Sequence, residues 1–255
     1  MAPLRPYGFA LPRTVRHRVW LGGLRRRLRV VHLTDLHFGA VTPLALQVAA
    51  VEAANAEEPD AVLLTGDYVA RGRGHVGAMR TVLARLEAPT WAVLGNHDHY
   101  VGARAVRRAL EDAGIAVLDN RWTRLGRGEE AVLLVGVDDL GTGHADPGAA
   151  TRGLPRLPAI GLSHHPSGAP ALWRRGVPLV LAGHTHGGQF HHHRWTPGFY
   201  ARVARIPYLS GWYREPEGAV YVNPGVGSSV VPWRWGRPAM RTVAVIELLP
   251  AAEPR

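Results

Sequence analysis

The sequence contains no cysteine and no lysine. Without cysteine, the chain can form no disulfide and can offer no thiolate to a metal ion. Any metal must then be held by histidine, carboxylate, amide or backbone oxygen, which favours manganese, iron, zinc or a similar ion. The absence of cysteine also agrees with the reducing cytoplasm, so we expect a cytoplasmic protein.

Because lysine is absent, all thirty cationic side chains are arginine, and the formal net charge is +10. A charge of this size attracts phosphate-rich partners such as nucleic acid, anionic lipid or small phosphorylated substrates. The complete replacement of lysine by arginine, together with abundant alanine, glycine and proline, also indicates a compositional bias of the genome. The charge alone therefore does not identify a partner.

Long apolar runs are absent as well. No segment reaches the roughly 20 apolar residues of a membrane-spanning helix, and no apolar run of signal-peptide quality follows the basic N-terminal residues. Hydrophobic residues make up 46% of the chain, which is enough for a sizeable core. We expect a single domain over residues 1–255, with a core over about 29–248 and loose ends at 1–14 and 250–255.

Strand-like and helix-like segments alternate in the first half of the chain. The stretches "LRVVHLTD", "DAVLLTGD" and "TWAVLGNHD" read as strands, and each precedes a segment with helical spacing of apolar residues. This alternation predicts a parallel sheet with right-handed crossovers. After Ile115 the strands are shorter and resemble antiparallel additions, and residues 187–217 read as irregular. Many strands and few helices predict an α/β protein with two packed sheets and helices outside.

Five of the apolar strands end in aspartate, asparagine or histidine. Ligands of open α/β sheets bind beyond the carboxyl ends of the strands. Each residue alone is an ordinary loop residue, but five such strand ends in one chain are not expected by chance. Carboxylate oxygens, an amide oxygen and imidazoles suit two divalent cations that share one carboxylate. The strand ends are Asp35 to His37, Gly66 to Asp67, Gly95 to Asp98, His164 to His165, and His184 to His186.

These strand ends carry a family resemblance. In order along the chain, Asp35-x-His37, Gly66-Asp67, Gly95-Asn96-His97-Asp98, His164 and Gly183-His184-x-His186 resemble the motif set of the calcineurin-like metallophosphoesterases. The segments "GNHDHY", "SHHP" and "GHTHGGQ" are similar to those of the bacterial YkuE/YaeI-like phosphodiesterase branch. The resemblance implies a four-layer α-β-β-α sandwich of two mixed sheets flanked by helices.

The resemblance also implies a role for each residue. Asp35, His37 and His186 would bind a first metal ion, Asn96, His164 and His184 a second, and Asp67 would bridge the two. A hydroxide between the ions would attack phosphorus, since two cations lower the pKa of a shared water. His97 would protonate the leaving oxygen, and Asp98 is the nearest candidate to orient it.

Two positions depart from the family's protein phosphatases. Their motif "GDxVDRG" reads "GDYVARG" here, with Ala70 in place of the aspartate that usually orients the catalytic histidine, and Leu94 replaces an arginine before "GNH". Arg71 matches the motif and could reach a phosphate oxygen. A dianionic monoester benefits from several cationic contacts, so the lost arginine favours a diester or pyrophosphate.

We therefore expect a dinuclear phosphoesterase that hydrolyses a phosphodiester or pyrophosphate bond in a small phosphorylated substrate. Members of the resembling branch are described as phosphodiesterases or as hydrolases of UDP-2,3-diacylglucosamine, a nucleotide-linked lipid. A phosphomonoesterase, a nuclease and a non-catalytic binding module of the same fold stay open as alternatives. No nucleic-acid-binding motif is present, so we expect no nucleic acid partner. The sequence does not set the oligomeric state.

Three further stretches admit more than one interpretation. Aromatic residues mix with arginines, including Arg234, between residues 199 and 235, which fits peripheral contact with an anionic membrane surface at its inner face, a glycolipid cap or a packed loop. The run "HHH" at 191–193 could be read as a third metal site, but it is expected to be surface loop, because adjacent side chains of an extended segment point to opposite faces. Asp138 and Asp139 could support the metal ligands, but they are expected in a turn after a strand.

Overall fold

The computed structural model describes residues 10–192, 195–202, 205–228 and 230–251. Twelve strands and seven α-helices occur in these ranges. The strands are β1 (Arg13–Leu21), β2 (Leu28–Leu33), β3 (Ala61–Thr65), β4 (Thr90–Val93), β5 (Ala116–Val117), β6 (Arg121–Leu125), β7 (Val132–Gly136), β8 (Ala159–Leu162), β9 (Leu179–Ala182), β10 (Gly211–Glu215), β11 (Gly218–Val222) and β12 (Thr242–Pro250). The helices are α1 (Leu44–Asn55), α2 (Val76–Leu83), α3 (Asn96–Val101), α4 (Ala103–Asp112), α5 (Pro147–Ala150), α6 (Ala169–Trp173) and α7 (Thr196–Arg202).

The strands form two six-stranded mixed sheets. The first has the order β1-β12-β2-β3-β4-β5, in which only the β12–β2 pair is antiparallel. The second has the order β10-β11-β9-β8-β7-β6, with antiparallel pairs at both edges and parallel pairs between them. The carboxyl ends of β2, β3 and β4 therefore share one edge of the first sheet, and those of β8 and β9 share one edge of the second.

Alternating side chains along the strands build separate apolar layers. Val30 and Leu63 of the first sheet pack with Ile160 and Leu181 of the second in a core between the sheets. Their neighbours along the strands face the other way, because successive strand residues point to opposite faces. These neighbours pack against α1, α2 and α4 on the first sheet and against α5 and α6 on the second. The predicted α/β sandwich of four layers is confirmed.

The late segment and the described parts of the expected loose ends are more ordered than the sequence indicates; residues 1–9 and 252–255 lie outside the described residues. Residues 13 and 14 belong to β1 and residue 250 to β12, and the two strands pair in parallel along nine residues, so placing these residues in loose ends is wrong. β5 joins the sheet in parallel, not antiparallel. The stretch read as irregular contains α7 and β10. Among the described residues, no helix is both long and apolar enough to cross a membrane.

Candidate metal centre

The polar strand ends converge between the two sheets. Backbone hydrogen bonds join consecutive strand ends: Asp35 N–H donates to Gly66 O at 2.9 Å, and His37 N–H donates to Asp67 O at 3.0 Å. Across the gap between the sheets, His184 N–H donates to the carboxylate of Asp35 at 3.0 Å. Residues from both sheets are thus fixed against one another by the backbone as well as by their side chains.

The first group of side chains that could bind a metal ion consists of Asp35, His37 and His186. His37 Nε2 lies 3.0 Å from His186 Nε2, and Asp35 Oδ1 lies 3.4 Å from His186 Nε2 and 3.8 Å from His37 Nε2. Three donor atoms facing one point at these separations can hold one cation.

The second group consists of Asn96, His164 and His184. Asn96 Oδ1 lies 3.1 Å from both His164 Nε2 and His184 Nδ1, and the two ring nitrogens are 3.2 Å apart. His164 Nδ1–H donates to Thr65 O at 2.7 Å. This bond fixes the tautomer that leaves the Nε2 lone pair directed into the group, an arrangement usual for metal-binding histidines.

Asp67 lies between the two groups. Its Oδ2 is 3.6 Å from His37 Nε2 in the first group and 3.4 Å from His164 Nε2 in the second. Its Oδ1 accepts a hydrogen bond from the His97 N–H at 2.9 Å. One carboxylate therefore contacts both donor sets, as a bridging ligand must.

The protonation states of several of these residues suit a cation. Burial lowers the pKa of His37 to about 3 and lowers the pKa of His184 and His186 well below the ordinary value, so these rings are neutral. Burial opposes ionisation of Asp67, yet the attraction and hydrogen bond of His164 lower its pKa below the usual range. Burial also opposes protonation of His164, but the facing Asp67 raises its pKa to about 10. Metal ligands bind as carboxylates and neutral imidazoles. A bound cation would therefore displace the proton that His164 carries opposite Asp67.

One buried oxygen argues directly for a cation. Asp35 Oδ2 accepts from Thr34 Oγ1 at 2.8 Å and from His184 N–H, whereas Asp35 Oδ1 is buried without a hydrogen-bond partner among the described residues. A buried acceptor without a donor costs about 1–3 kcal/mol. Burial raises the pKa of Asp35 to about 6. A divalent cation bound beside Oδ1 would give this oxygen a partner and would stabilise the ionised carboxylate. The donor set therefore fits a metal ion.

The backbone around the ligands is strained. Asp35, His37, Asp67, His184 and His186 have φ angles of +50°, +46°, +56°, +74° and +51°. Side chains other than glycine rarely adopt this left-handed region, and such residues concentrate at functional sites. Gly183 allows the close approach of the β9 end to the β2 end, because a Cβ there would overlap Thr34 Oγ1 and Asp35 Oδ2.

His97 lies at the edge of this centre with a defined tautomer. Its Nδ1–H donates to the backbone carbonyl of Ala70 at 2.7 Å, and its ring packs edge-on against His37 with centroids 4.9 Å apart. The other ring nitrogen, Nε2, is therefore the one available to a substrate. The residue that replaces the family's aspartate still orients the histidine, but through its main-chain oxygen.

The expected pairing of Asp98 with His97 is wrong. The carboxylate of Asp98 is fully buried and accepts four backbone N–H groups. Those donors are Asp67 at 2.8 Å, Gly95 at 2.9 Å, Tyr68 at 2.9 Å and Val69 at 3.3 Å. Burial raises its pKa to about 7, against the effect of these hydrogen bonds. Asp98 shapes the loop that carries Asp67 and does not face a reacting group.

The remaining sequence candidates lie outside the two donor groups. Arg71 is exposed directly after Ala70, so its contact with a phosphate stays a prediction. Asp138 pairs with His99 at 2.8 Å. Within "HHH", His191 Nδ1–H donates to Gly187 O at 3.0 Å, and residue 193 lies outside the described residues. His165 packs on His184 with centroids 4.5 Å apart, and its Nδ1 accepts the Ser167 N–H at 3.2 Å.

Sequence reasoning missed Arg234 at this site. Its guanidinium is fully buried, lies 2.6 Å from His186 Nδ1 and donates to the carbonyls of Pro224 at 2.6 Å, Gly225 at 3.1 Å and Gly227. Burial lowers its pKa to about 9. No sequence signal distinguishes it, since an arginine between two tryptophans is typical of a surface.

Comparison with known proteins agrees with this geometry. Residues 28–188 match the family model described as calcineurin-like phosphoesterase. The chain is 34% identical over 206 residues to phosphodiesterase YaeI of Escherichia coli K12, covering 78% of this chain and 75% of that protein. It is 31% identical over 218 residues to YkuE of Bacillus subtilis 168, an uncharacterized metallophosphoesterase, covering 81% and 74%.

A solved structure shares the fold. The 5′-nucleotidase precursor from Thermus thermophilus aligns with a TM-score of 0.54 and 19% identity, over 88% of this chain and 54% of that one. The family uses divalent metal ions, and the part of the chain that the structure describes carries three overlapping groups of side chains that could bind them. The chain belongs to the calcineurin-like phosphoesterase family and is a metal-dependent hydrolase of phosphoric ester or anhydride bonds.

Proposed function

We propose that the chain is a phosphodiesterase with two divalent cations, manganese, iron or zinc, at the paired donor groups. Asp35, His37 and His186 would hold one cation and Asn96, His164 and His184 the other, with Asp67 bound to both. The observation that carries this proposal is the position of Asp67 Oδ2, 3.6 Å from a histidine of one group and 3.4 Å from a histidine of the other.

The side chains around this centre have distinct tasks. Bound cations supply Lewis acidity toward the phosphoryl oxygens and lower the pKa of a bound water. His97 is held by Ala70 O and by its own N–H to Asp67, so in the imidazolium form its Nε2–H is positioned to give a proton to the leaving oxygen. Arg71 at the rim would bind a phosphoryl oxygen.

Two features favour a diester over a monoester. Leu94 is buried where the related protein phosphatases carry an arginine, so one cationic contact to a dianion is lost. Among the compared relatives, YaeI is named a phosphodiesterase. The bond hydrolysed would be a phosphodiester or a pyrophosphate, and we propose as substrate a nucleotide-linked lipid such as UDP-2,3-diacylglucosamine, which carries a pyrophosphate. We propose the cytoplasm as the location.

The test is turnover of bis-p-nitrophenyl phosphate by purified protein loaded with Mn²⁺, beside turnover of p-nitrophenyl phosphate. We expect the diester to be preferred, and we expect Asp67→Asn to lower kcat by about 10³-fold or more, because it weakens both metal sites. Metal content per chain, measured by mass spectrometry, should fall in the same variant. Asp112→Asn, an exposed change on α4, is the matched control. Equal turnover by wild type and Asp67→Asn would contradict the proposal.

A further inference from the structure

The structure divides the aromatic residues of the late segment into two sets. Tyr208 packs on Trp173, the Tyr213 hydroxyl accepts the Leu209 N–H at 2.9 Å, and Trp212 packs on Tyr221. Tyr208, Tyr213 and Trp212 are half-buried and pack against the apolar layers on the two faces of the second sheet. A second set is exposed: Phe190, Trp195, Phe199, Trp233 and Trp235. We call this second set the aromatic cap.

The aromatic cap is one surface. Phe190 and Trp235 form a β-bridge, and the Gln189 side chain donates to Trp233 O at 3.2 Å, so the two chain segments lie side by side. Phe190, Trp195 and Phe199 line an open groove of about 400 Å³ together with Gly188 and Thr196. Contiguous exposed apolar surface of this kind marks a binding face.

Buried Arg234 explains why the tryptophans face outward. Trp233, Arg234 and Trp235 are consecutive, and alternate residues of an extended segment point to opposite sides. The guanidinium points inward to His186 and to several carbonyls, which leaves Trp233 and Trp235 with 55% and 37% exposure. The aromatic cap is therefore tied to a candidate metal ligand through one side chain.

The chain segments that carry the aromatic cap are basic. Residues 183–214 contain four arginines and no aspartate or glutamate, and residues 218–246 contain no acidic residue. Glu215 and Glu217, between these segments, line a different cavity together with Trp173 and Tyr208. Arg202 at the end of α7 and Arg205 are exposed. Exposed tryptophan and phenylalanine flanked by arginine is the composition of peripheral proteins on anionic bilayers.

We propose that the aromatic cap docks on the surface of an anionic lipid bilayer and turns the metal centre toward the lipid headgroups. The docking itself follows from the exposed aromatics and their cationic surroundings. That the centre then acts on a phosphodiester of a lipid headgroup or lipid-linked molecule rests on the proposed function. Gly187 and Gly188 follow His186 directly, so a bilayer at the cap lies beside the donor groups.

The experiment is cosedimentation with vesicles of phosphatidylcholine alone and with vesicles of equal parts phosphatidylcholine and phosphatidylglycerol. We expect wild type to bind the anionic vesicles, and Trp195→Ser/Phe199→Ser to bind them about tenfold more weakly, since buried apolar area is lost. Trp20→Ser is the matched control, because Trp20 is 64% exposed on β1, as against 74% for Trp195. It should bind like wild type.

A second pair of variants tests the charge. Arg202→Gln and Arg205→Gln should each weaken binding to the anionic vesicles by about fivefold at low ionic strength, whereas Arg108→Gln, exposed on α4, should not. Turnover of bis-p-nitrophenyl phosphate is measured in the same preparations and should stay unchanged in all these variants. If wild type binds the anionic vesicles but does not hydrolyse bis-p-nitrophenyl phosphate, the proposed function is wrong and the docking proposal stands.

Three outcomes would overturn the docking proposal. One is failure of wild type to bind the anionic vesicles at low ionic strength. Another is equal loss of binding in the Trp20 and the Trp195/Phe199 variants. The third is a concentration-dependent dimer in sedimentation velocity that the Trp195/Phe199 variant abolishes while neither protein binds vesicles, which would assign the aromatic cap to a second copy of this chain.

Discussion

At the scale of single residues, the carboxylate of Asp98 supports the metal centre without facing it. Four backbone N–H groups converge on its two oxygens. Hydrogen bonds to a charged acceptor are stronger than those to a neutral one. The loop that carries Asp67 therefore depends on a side chain that binds no metal ion.

Replacing Asp98 with asparagine tests this role. An amide offers one oxygen to the four N–H groups and turns its own NH₂ toward two of them, so we expect the free energy of unfolding to fall by about 2–3 kcal/mol. Chemical denaturation followed by circular dichroism measures the change. Asp112→Asn, exposed at the end of α4, should leave it unaltered. A stability equal to wild type would show that the four contacts contribute little.

His32 gives a pH dependence of stability that is separate from the metal ligands. Burial lowers its pKa from the ordinary value of 6.5 to about 3, and Thr65 Oγ1 lies 2.8 Å from its Nε2. The folded protein keeps His32 neutral, whereas the unfolded chain protonates it below about pH 6.5. Its contribution to stability is thus complete above pH 6.5 and is lost as pH falls from 6.5 toward 3.

We expect this loss to approach about 1.4 kcal/mol per pH unit between pH 6 and pH 4. The measurement is urea unfolding across this range for wild type and His32→Gln, whose amide can still reach Thr65. The difference in slope between the two proteins isolates His32 from the other buried histidines. His144→Gln, at an exposed position, should keep the wild-type slope. Parallel slopes for wild type and His32→Gln would contradict the low pKa.

At the scale of elements, the strand ends are held together by very close packing. The turn after β9 approaches the turn after β2 so closely that Gly183 has no room for a side chain. We expect Gly183→Ala to push Asp35 away from His186 and to weaken metal binding by about 10–100-fold, as loss of supporting contacts typically does. Isothermal titration with Mn²⁺ measures the affinity.

The control for this change is Gly77→Ala. Nothing lies within 4 Å of a Cβ at Gly77, which is on the helix α2, and alanine stabilises a helix relative to glycine by about 1 kcal/mol. This variant should bind Mn²⁺ like wild type and melt at the same or a higher temperature. If Gly183→Ala binds Mn²⁺ as tightly as Gly77→Ala, the close approach is not needed for the site.

Elements differed in how well the sequence predicted them. β2, β3 and β4 are runs of largely buried apolar residues, and their ends carry the candidate ligands, so the pattern was enough to place Asp35, Asp67 and Asn96 at strand ends. β1 alternates arginine and histidine with apolar residues at a sheet edge. Its pairing depends on β12, more than 200 residues away along the chain, and no local pattern reports such a partner.

For the candidate site, too, the sequence predicts some features and only the folded structure shows the others. Ligand types at strand ends are visible in the sequence. The acceptor for His97 is the main-chain oxygen of Ala70, and a carbonyl has no sequence signature. Arg234 reaches His186 from 48 positions further along the chain, and its burial follows from the direction of one extended segment.

At the scale of the whole molecule, the proposed metal ligands come from both sheets. Asp35, His37, Asp67 and Asn96 follow strands of the first sheet, whereas His164, His184 and His186 follow strands of the second. Bound cations would link the sheets and stabilise only the folded protein. Binding at about 100 times Kd adds roughly 2.7 kcal/mol to the free energy of unfolding.

Removal of metal should therefore lower the thermal midpoint, and added Mn²⁺ should restore it. Differential scanning calorimetry of Mn²⁺-loaded protein, before and after chelation, measures the change. In Asp67→Asn, which lacks the carboxylate proposed to contact both cations, chelation should lower the thermal midpoint by less than it does in wild type. An identical midpoint with and without chelator would mean that metal binding does not couple the sheets.

The position of β12 has a consequence for the order of events during synthesis. This strand lies inside the first sheet, between β1 and β2, although it follows every ligand in the chain by more than 50 residues. The strands that carry Asp35, Asp67 and Asn96 thus have an open flank until Pro250 has left the ribosome. Nascent chains that stall earlier expose that flank to chaperones and to one another, so the phosphoesterase centre can mature only after translation has passed β12.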